Sequence, residues 1–549
     1  MVFTEIMKKI YLLLVIFSTF QISAQEDAWI YFNSKPNSQF YFDNPLEMLS
    51  QRSLDRRAAQ GITLDIKDIP IYQPYIDQVD AVSGIEVMAK SKWLNAVHVR
   101  GSEIAINSVQ SFSFVAEVDF ADNSLDAAGK VSSKLKRMLV GKQMNVQADF
   151  AYGASANQIQ MLNGHLLHQQ DYTGVGKIIA VLDAGFPEVD VVQPFARLRD
   201  NNQILGGYNF VDRNEDFYSR NSHGTLVLST MGGYAENQLV GTAPDAGYYL
   251  FITEDINSEN PVEESLWVEA AEVADSLGVD IINSSLGYFD YDNPAYSYSY
   301  EDMDGTTSFV SRGADIAFTR GMVVVVSAGN SGNSGDPHIS VPADAINVLT
   351  VGAVTASGNY ASFSSIGPSA DGRIKPDVMA QGQSAVLSNT SGNITTASGT
   401  SFSGPIMAGM VASFWQAAPT LTNAQVVQLI RESAHLYENP TDEMGYGIPD
   451  FAEALSLAEL SVPEEGIDGF QVYPNPFSNM LSVSFPSGTE KAQLKLYNNL
   501  GQLVAEKSIV PQVEITGLEQ LAPGIYFYYI ASAEKARSGK LIKTNSAHP

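Results

Sequence analysis

The sequence predicts an α/β domain with a doubly wound, mostly parallel sheet, preceded by an α+β domain and followed by an all-β sandwich. Continuous runs of apolar, largely β-branched residues fit parallel strands that are buried on both faces. Such runs occupy residues 178–182, 280–283, 322–326 and 348–352. Apolar residues with helical spacing fill 263–277, between the first two runs. This alternation of strands and helices is typical of the doubly wound class.

Residues 25–150 predict the smaller α+β domain. Alternating apolar residues at 28–32 and 112–118 indicate strands. Residues 53–60 have the pattern of a helix that ends at Gly61.

The larger domain is assigned to residues 151–460, and a third domain to residues 470–549. Alternating apolar stretches at 481–485, 493–497 and 524–530 indicate short strands in this last segment. Their spacing predicts a small β-sandwich.

Residues 1–24 have the pattern of a secretory signal peptide. Lys8 and Lys9 precede an apolar run over 10–20 that is too short to span a bilayer as a helix, and Ala24 offers a small residue for cleavage. The alternative is a buried core helix. No later stretch is long and apolar enough to span a membrane, so the sequence predicts a secreted protein.

The composition argues against two classes of function. A formal net charge of −29 would repel a phosphate backbone, so nucleic-acid binding is not expected. The chain has no cysteine, which excludes disulfides, a thiolate nucleophile and cysteine metal sites.

Three polar residues lie where active residues gather in open α/β sheets. Asp183 directly follows the first buried strand, and a carboxylate there can orient an imidazole. His223 precedes an apolar helix start and is a candidate general base near neutral pH. Ser401, among small residues at another helix start, faces amides that favour a developing oxyanion. Taken singly, each has a plainer interpretation, as a turn cap, a surface histidine and a helix cap.

The order Asp, His, Ser along the chain is that of subtilisin. Val181-Leu182-Asp183, Ser222-His223-Gly224-Thr225 and Gly399-Thr400-Ser401, the last followed by Pro405 and Ala408-Gly409, resemble the three motifs of the subtilisin-like serine peptidases. The resemblance covers about residues 150–455. It implies a subtilisin-like fold, serine-type endopeptidase activity on peptides or proteins, and the roles of nucleophile for Ser401, base for His223 and orienting partner for Asp183.

The same resemblance implies further site residues. Asn330, in Ser327-Ala328-Gly329-Asn330, matches the oxyanion-hole asparagine, whose amide can stabilise a tetrahedral intermediate. Ser285, Leu286 and Gly287 match the strand that pairs with substrate, and Ala328 and Gly329 are assigned to the same cleft. Leu226 and Ile406 stand where the family often has histidine, which leaves the inherited specificity open.

No metal site is assigned, and the chemistry requires no cofactor. The insert 288–305 is rich in Tyr and Asp and could bind calcium through Asp302 and Asp304, although a solvated loop is the simpler interpretation.

The two outer domains also resemble known modules. Residues 25–150 occupy the place of a subtilase propeptide, and the alternative is an N-terminal domain retained in the active enzyme. Val472-Tyr473-Pro474-Asn475-Pro476 and Gly524-Ile525-Tyr526-Phe527 resemble the C-terminal sorting domain of type IX secretion cargo in Bacteroidetes-type bacteria. That resemblance implies contact with the type IX secretion machinery and a protein secreted or attached to the outer cell surface. The alternative is a carbohydrate-binding β-sandwich.

Two other functions stay open on the sequence alone. A binding or adhesion protein could carry an inactive peptidase fold, and an esterase could use the same serine. The four residues Asp183, His223, Ser401 and Asn330 argue against the first, since a non-catalytic scaffold need not keep them all. The peptide-pairing strand argues against the second.

Overall fold

The structure, a computed structural model, describes residues 25–126, 150–461, 470–473, 477–485, 488–498, 502–511, 515–532 and 536–544. The predicted signal peptide, residues 1–24, lies outside the described residues. The chain divides into two units between Glu459 and Leu460. The first unit contains the two domains predicted on the N-terminal side.

The N-terminal domain is a four-stranded antiparallel sheet covered by helices on one face. Its elements are β1 (Gln25–Phe32), α1 (Ser38–Asp43), α2 (Gln51–Ala59), α3 (Gln73–Asp80), β2 (Ile85–Ser91), β3 (Ala96–Ser102), α4 (Glu103–Ser108) and β4 (Val115–Phe120). The strand order is β2-β3-β1-β4. The strand predicted at 112–118 begins only at Val115, because residues 112–114 form a turn in which Phe114 stacks on Tyr75 at 4.3 Å between ring centroids.

The second domain contains the large sheet and its helices. Its first half comprises α5 (Ala156–Gln160), α6 (His165–His168), β5 (Ile178–Asp183), α7 (Ala196–Asp200), β6 (Ile204–Asn209), α8 (His223–Gly232), β7 (Tyr234–Ala235), β8 (Leu239–Val240), β9 (Gly247–Ile252) and α9 (Val262–Leu277). Its second half comprises β10 (Ile281–Ser284), α10 (Phe309–Thr319), β11 (Val323–Ser327), β12 (Leu349–Val354), β13 (Val378–Gln381), β14 (Ala385–Ser388), β15 (Ile394–Ala397), α11 (Thr400–Ala417), α12 (Asn423–Glu432) and α13 (Phe451–Ser461).

Seven parallel strands form this sheet in the order β13-β12-β11-β10-β5-β9-β6. Alternate residues of β5 point to opposite faces, so Ile179 and Val181 pack with α8 and α11 while Ala180 and Leu182 pack with α9 and α10. Helices therefore cover both faces, and the doubly wound α/β prediction is confirmed. Three of the strands, β6, β9 and β13, were not predicted from the sequence.

The sheet of the N-terminal domain lies on helices α9 and α10. Trp29 stacks on Phe309 at 5.2 Å between ring centroids, and its indole N–H donates to Ser265 Oγ at 2.8 Å. The residues of β1 with the opposite orientation, such as Ile30, fill the domain's own core. One strand thus serves an internal core and a contact with the second domain.

The second unit is all-β in the residues described. Its strands are β16 (Gln471–Tyr473), β17 (Ser482–Ser484), β18 (Ala492–Tyr497), β19 (Leu503–Ile509), β20 (Gly524–Ala531) and β21 (Ala536–Lys543). An antiparallel sheet of order β19-β18-β20-β21 and the pair β16-β17 contribute to one apolar core that includes Phe477, Leu496 and Tyr528. Part of the Tyr473-Pro474-Asn475 motif lies outside the described residues.

Candidate active site

Asp183 and His223 form a hydrogen-bonded pair at the carboxyl end of β5. His223 Nδ1 lies 2.7 Å from Asp183 Oδ1. The backbone N–H of Ala184 also donates to that oxygen, at 2.8 Å. Asp183 is fully buried, whereas the His223 side chain keeps 31% exposure at the first residue of α8. The carboxylate therefore fixes the ring orientation and leaves the other ring nitrogen free of it.

The environment of His223 raises its pKa above the ordinary value. Burial of the imidazole acts to lower the pKa, but the charge of Asp183 and its hydrogen bond act in the opposite direction and prevail. An imidazole in this setting is a stronger base than a free histidine. It can accept a proton from a hydroxyl and hold it as an imidazolium stabilised by Asp183.

Ser401 is the second residue of α11, and this helix begins beside the histidine. The ring of Phe402 lies 6.1 Å from the His223 imidazole between centroids. Gly399, before the helix, has φ +157° and donates its N–H to Gly382 O at 2.9 Å. Ser401 itself is half-buried. The N-terminal amides of a helix are oriented donors, so the serine lies in a region that favours negative charge.

Asn330 lies after β11 and is tied to the same helix start. The N–H of Thr400 donates to Asn330 Oδ1 at 2.9 Å, and the Thr400 hydroxyl donates to that oxygen at 3.1 Å. A backbone N–H can only donate, so the atom that it meets must be the amide oxygen. The NH₂ group of the exposed Asn330 side chain consequently points away from the Thr400 amide, where it can serve as a donor.

The predicted substrate strand follows β10 and lies next to the helix. Ser285 is buried and Leu286 half-buried, while Gly287 is exposed. Ala328 is buried and donates its N–H to Val351 O, whereas the Gly329 N–H meets Thr400 Oγ1 at 3.2 Å.

Two glycines and a serine lie close together where these segments meet. A Cβ placed on Gly287 would lie 2.4 Å from Ser340 Oγ, and one on Gly329 would lie 3.6 Å from the same atom. Gly329 also has φ +104°, which favours glycine. A side chain at residue 287 would therefore collide with Ser340, and the backbone conformation at residue 329 favours glycine.

Sequence reasoning missed two residues of this region. Thr400 holds the Asn330 side chain by two hydrogen bonds to Oδ1, a contact that its place in the Gly-Thr-Ser motif did not indicate. Glu254, two residues beyond β9, is buried and accepts a hydrogen bond from Tyr288 OH at 3.2 Å. Burial, followed by the nearby charges of Glu263 and Glu259, raises the pKa of Glu254 well above its usual range. Nothing in the sequence distinguished this glutamate from its exposed neighbours.

Among the described residues, the carboxylates that could hold a cation together are those of Glu254, Glu259 and Glu263, whose oxygens lie within 4.8 Å of one another. The pair named in the sequence analysis has local partners instead. Asp302 accepts from Ser299, and Asp304 accepts from Thr306 and Thr307. Calcium binding at Asp302 and Asp304 stays the less favoured alternative to a solvated loop.

These features define a class of protein. An aspartate–histidine pair at the end of a parallel strand, beside a helix with a serine in its first turn, is the arrangement of a serine hydrolase built on an α/β sheet. Comparison with known families gives the particular one.

Three family models match, one in each predicted domain. The model described as "Subtilase family" matches residues 174–447. The model "Peptidase S8 propeptide domain, Bacteroidota" matches residues 27–137, and "Secretion system C-terminal sorting domain" matches residues 471–544.

Curated relatives agree with these matches. Subtilisin DY of Bacillus licheniformis is 31% identical over 291 residues, which is 53% of this chain and 93% of that protein. Subtilisin E of Bacillus subtilis (strain 168) is 32% identical over 50% of this chain and 65% of its own length. Serine protease AprX of the same strain is 29% identical over 60% of this chain and 75% of its own. A solved structure, the MycP3 protease from the type VII (ESX-3) secretion system, is 21% identical with a TM-score of 0.44 and covers 55% of this chain and 88% of its own.

The chain belongs to the subtilase family. It is a subtilisin-like serine endopeptidase that carries an N-terminal propeptide domain of the S8 type and a C-terminal sorting domain. The sorting domain indicates export, to secretion or to the cell surface. In the described part of the chain, no helix has the length and apolar character needed to cross a membrane. The domain boundaries at residues 24, 150, 460 and 470 stay predictions.

Proposed function

We propose that Asp183, His223 and Ser401 form the catalytic triad of a secreted endopeptidase that cleaves peptide bonds through an acyl-enzyme intermediate. The observation that carries the proposal is the 2.7 Å contact between His223 Nδ1 and Asp183 Oδ1, beside the helix that begins at Thr400-Ser401. A histidine held in this way has its Nε2 available for a hydroxyl.

In the proposed reaction, His223 Nε2 takes the proton of the Ser401 hydroxyl as Oγ attacks the scissile carbonyl carbon. The tetrahedral intermediate collapses when the C–N bond breaks, and the imidazolium gives its proton to the leaving amine. A water molecule, deprotonated by the same imidazole, then attacks the ester carbonyl carbon. The bond from that carbon to Ser401 Oγ breaks, the imidazolium returns its proton to Oγ, and the carboxylate product leaves. The hydrogen bond to Asp183 stabilises the imidazolium.

The oxyanion is proposed to lie between the Asn330 NH₂ group and the Ser401 backbone N–H. The contact of Asn330 Oδ1 with Thr400 supports this assignment, because it fixes which end of the amide can donate. Extended substrate is proposed to pair with residues 285–287 on one side and with Ala328-Gly329 on the other. An uncharged P1 side chain is proposed, because Gly287, Gly329 and the Ser340 hydroxyl lie close together and carry no charge.

The outer domains are proposed to act before and after this chemistry. The N-terminal domain acts as a propeptide that is cleaved from the peptidase domain, and the C-terminal domain directs the protein to the type IX secretion machinery. The mechanism needs no cofactor. Mass spectrometry of the mature chain ends distinguishes a removed propeptide from a retained domain.

The proposal predicts that Ser401→Ala abolishes hydrolysis of a casein-like substrate without unfolding the chain. Phenylmethylsulfonyl fluoride should label Ser401 in the mature protein and fail to label the variant. Mass spectrometry of the labelled peptide is the measurement, and circular dichroism checks the fold. Hydrolysis retained by Ser401→Ala, or a folded wild-type protein that resists labelling, contradicts the proposal.

A further inference from the structure

The helix that carries Ser401 contains a proline in its first turns. Pro405 lies inside α11, is buried, and has no backbone N–H. In an α-helix the N–H of residue 405 would donate to the carbonyl of Ser401, four residues earlier, and proline removes that hydrogen bond. The carbonyl of the proposed nucleophile therefore lacks the donor that the helix would ordinarily supply. A carbonyl that is partly withdrawn from water and lacks a donor is costly, so another group is expected to serve it.

A side chain from the substrate strand supplies the donor. Ser285 Oγ donates to Ser401 O at 3.0 Å. Ser285 is only 7% exposed, so water does not readily replace it. This hydrogen bond joins two segments that are distant in sequence.

A second contact orients the Ser285 hydroxyl. Asn283 Nδ2 lies 3.4 Å from Ser285 Oγ and can only donate to it. The hydroxyl oxygen then accepts from Asn283, which leaves its proton for the carbonyl of Ser401. Asn283 is fully buried within β10, the strand that leads into residues 285–287. The relay from Asn283 to Ser285 to Ser401 O is thus held by the central sheet.

The carbonyl of Thr400, one residue earlier, does not depend on a single side-chain donor. Thr400 O accepts from Ser327 Oγ at 2.9 Å and from Ser403 Oγ at 3.0 Å. Residue 404 is a glycine with an N–H, so the helix can also serve this carbonyl. Removal of one donor from Thr400 O leaves others in place, which makes Ser403 a matched control for Ser285.

We propose that Ser285 is a positioning residue for the nucleophile, and that it replaces the backbone hydrogen bond that Pro405 removes. The inference rests on the proposed function of Ser401. By anchoring the Ser401 carbonyl to the strand that pairs with substrate, Ser285 fixes the distance between the attacking hydroxyl and the bound peptide. Errors of this kind in the position of a reacting group lower the rate of the chemical step rather than the affinity for substrate.

A double-mutant cycle on the full chain tests the inference. Ser285→Ala should lower kcat about tenfold with little change in KM, because the partly buried carbonyl of Ser401 loses its donor next to the attacking group. Pro405→Ala restores an N–H at residue 405, so Ser285→Ala/Pro405→Ala should recover most of the lost kcat. Ser285→Thr, which keeps a hydroxyl, should stay close to wild type. Ser403→Ala should change kcat by less than about twofold, because the Thr400 carbonyl oxygen keeps its other donors.

The rate of modification of Ser401 by phenylmethylsulfonyl fluoride gives an independent readout, because this small reagent does not pair with the substrate strand. It should fall in Ser285→Ala and recover in the double variant, with thermal unfolding confirming that each variant folds. Equal losses in Ser285→Ala and in the double variant would overturn the inference. A rise in KM with an unchanged modification rate would also overturn it and assign Ser285 to substrate pairing alone. A wild-type protein that is neither active nor labelled would remove the proposed function and this inference with it.

Discussion

The electrostatics of His223 link one hydrogen bond to the pH range of the enzyme. The imidazole must be neutral to act as a base, and the charge of Asp183 raises its pKa. When the pH is lowered, the wild-type enzyme should therefore lose activity at a higher pH than an enzyme whose histidine had an ordinary pKa. The pH dependence of kcat/KM reports this group in the free enzyme.

Asp183→Asn should shift the acidic limb of kcat/KM to lower pH, because the charge that raises the pKa of His223 is removed. It should also lower kcat by about 10⁴, since the amide no longer holds the ring in the correct tautomer. Rate measurements from pH 4 to 9, roughly spanning the titration of histidine, provide the test.

Asp212→Asn is the matched control for this variant. Asp212 is paired with Arg220 at 2.6 Å and makes no contact that the mechanism uses. The Asp212→Asn variant should leave the acidic limb of the kcat/KM profile at its wild-type pH. An acidic limb that moves equally in both variants, or that moves upward in Asp183→Asn, would disprove the assigned electrostatics.

Helix α2 contains several charged residues and nevertheless forms a buried contact with the peptidase domain. Arg56 Nη2 lies 2.5 Å from Asp275 Oδ1, and Arg57 Nη2 lies 2.6 Å from Asp275 Oδ2. Arg57 also reaches Asp68 at 2.8 Å. Arg57 and both aspartates are at most 1% exposed. Two arginines of the N-terminal domain thus neutralise a buried carboxylate of α9 in the peptidase domain.

Arg57→Ala should destabilise the first unit by about 3 kcal/mol, because it leaves buried carboxylates with fewer cationic partners. Urea unfolding of the chain that also carries Ser401→Ala measures this effect without autolysis. Arg213→Ala is the matched control. Arg213 contacts the carbonyl of Met88 across the same two domains and pairs with Glu269 within the peptidase domain, but its side chain is 38% exposed.

Because water solvates the Arg213 head group, its loss should cost less than about 1 kcal/mol. Equal losses in the two variants would mean that burial of the Arg57 network adds nothing to the stability of the unit.

The sequence indicated elements whose pattern is local and missed those that depend on distant contacts. Residues 322–326 are a run of apolar residues, and the strand is there. Strand β6 contains two glycines, Gly206 and Gly207, and lacks such a run, so its place at the edge of the sheet comes from pairing with β9. The contact of Asn330 with Thr400 spans 70 residues and could not be deduced from spacing. The order of Asp183, His223 and Ser401 was informative because strand ends in a parallel sheet share one edge.

At the scale of the whole molecule, the folded chain buries carboxyl groups whose pKa values are raised. Burial raises the pKa of Glu263 to about 8, that of Glu272 to about 7 and that of Asp344 to about 6, although hydrogen bonds oppose the shift in each case. The corresponding groups in an unfolded chain titrate near their ordinary values of 4.5 or 3.8. Between these limits, the folded state binds more protons than the unfolded state.

The free energy of unfolding should therefore fall as the pH rises from about 5 to about 8, because stability decreases with pH wherever the folded state binds more protons. Carboxyl groups with lowered pKa values, such as Asp27 and Asp377, add the opposite trend only below about pH 4. The unfolding temperature of the Ser401→Ala chain, measured across this range, should be highest in mildly acidic buffer.

A net charge of −29 predicts the same direction through surface repulsion, but salt screens exposed charges far more than buried ones. If the unfolding temperature still falls with rising pH in about 1 M NaCl, the buried carboxyl groups cause the loss of stability. If the pH dependence of the unfolding temperature disappears in this salt, repulsion between surface charges causes it. An unfolding temperature that rises with pH contradicts both explanations.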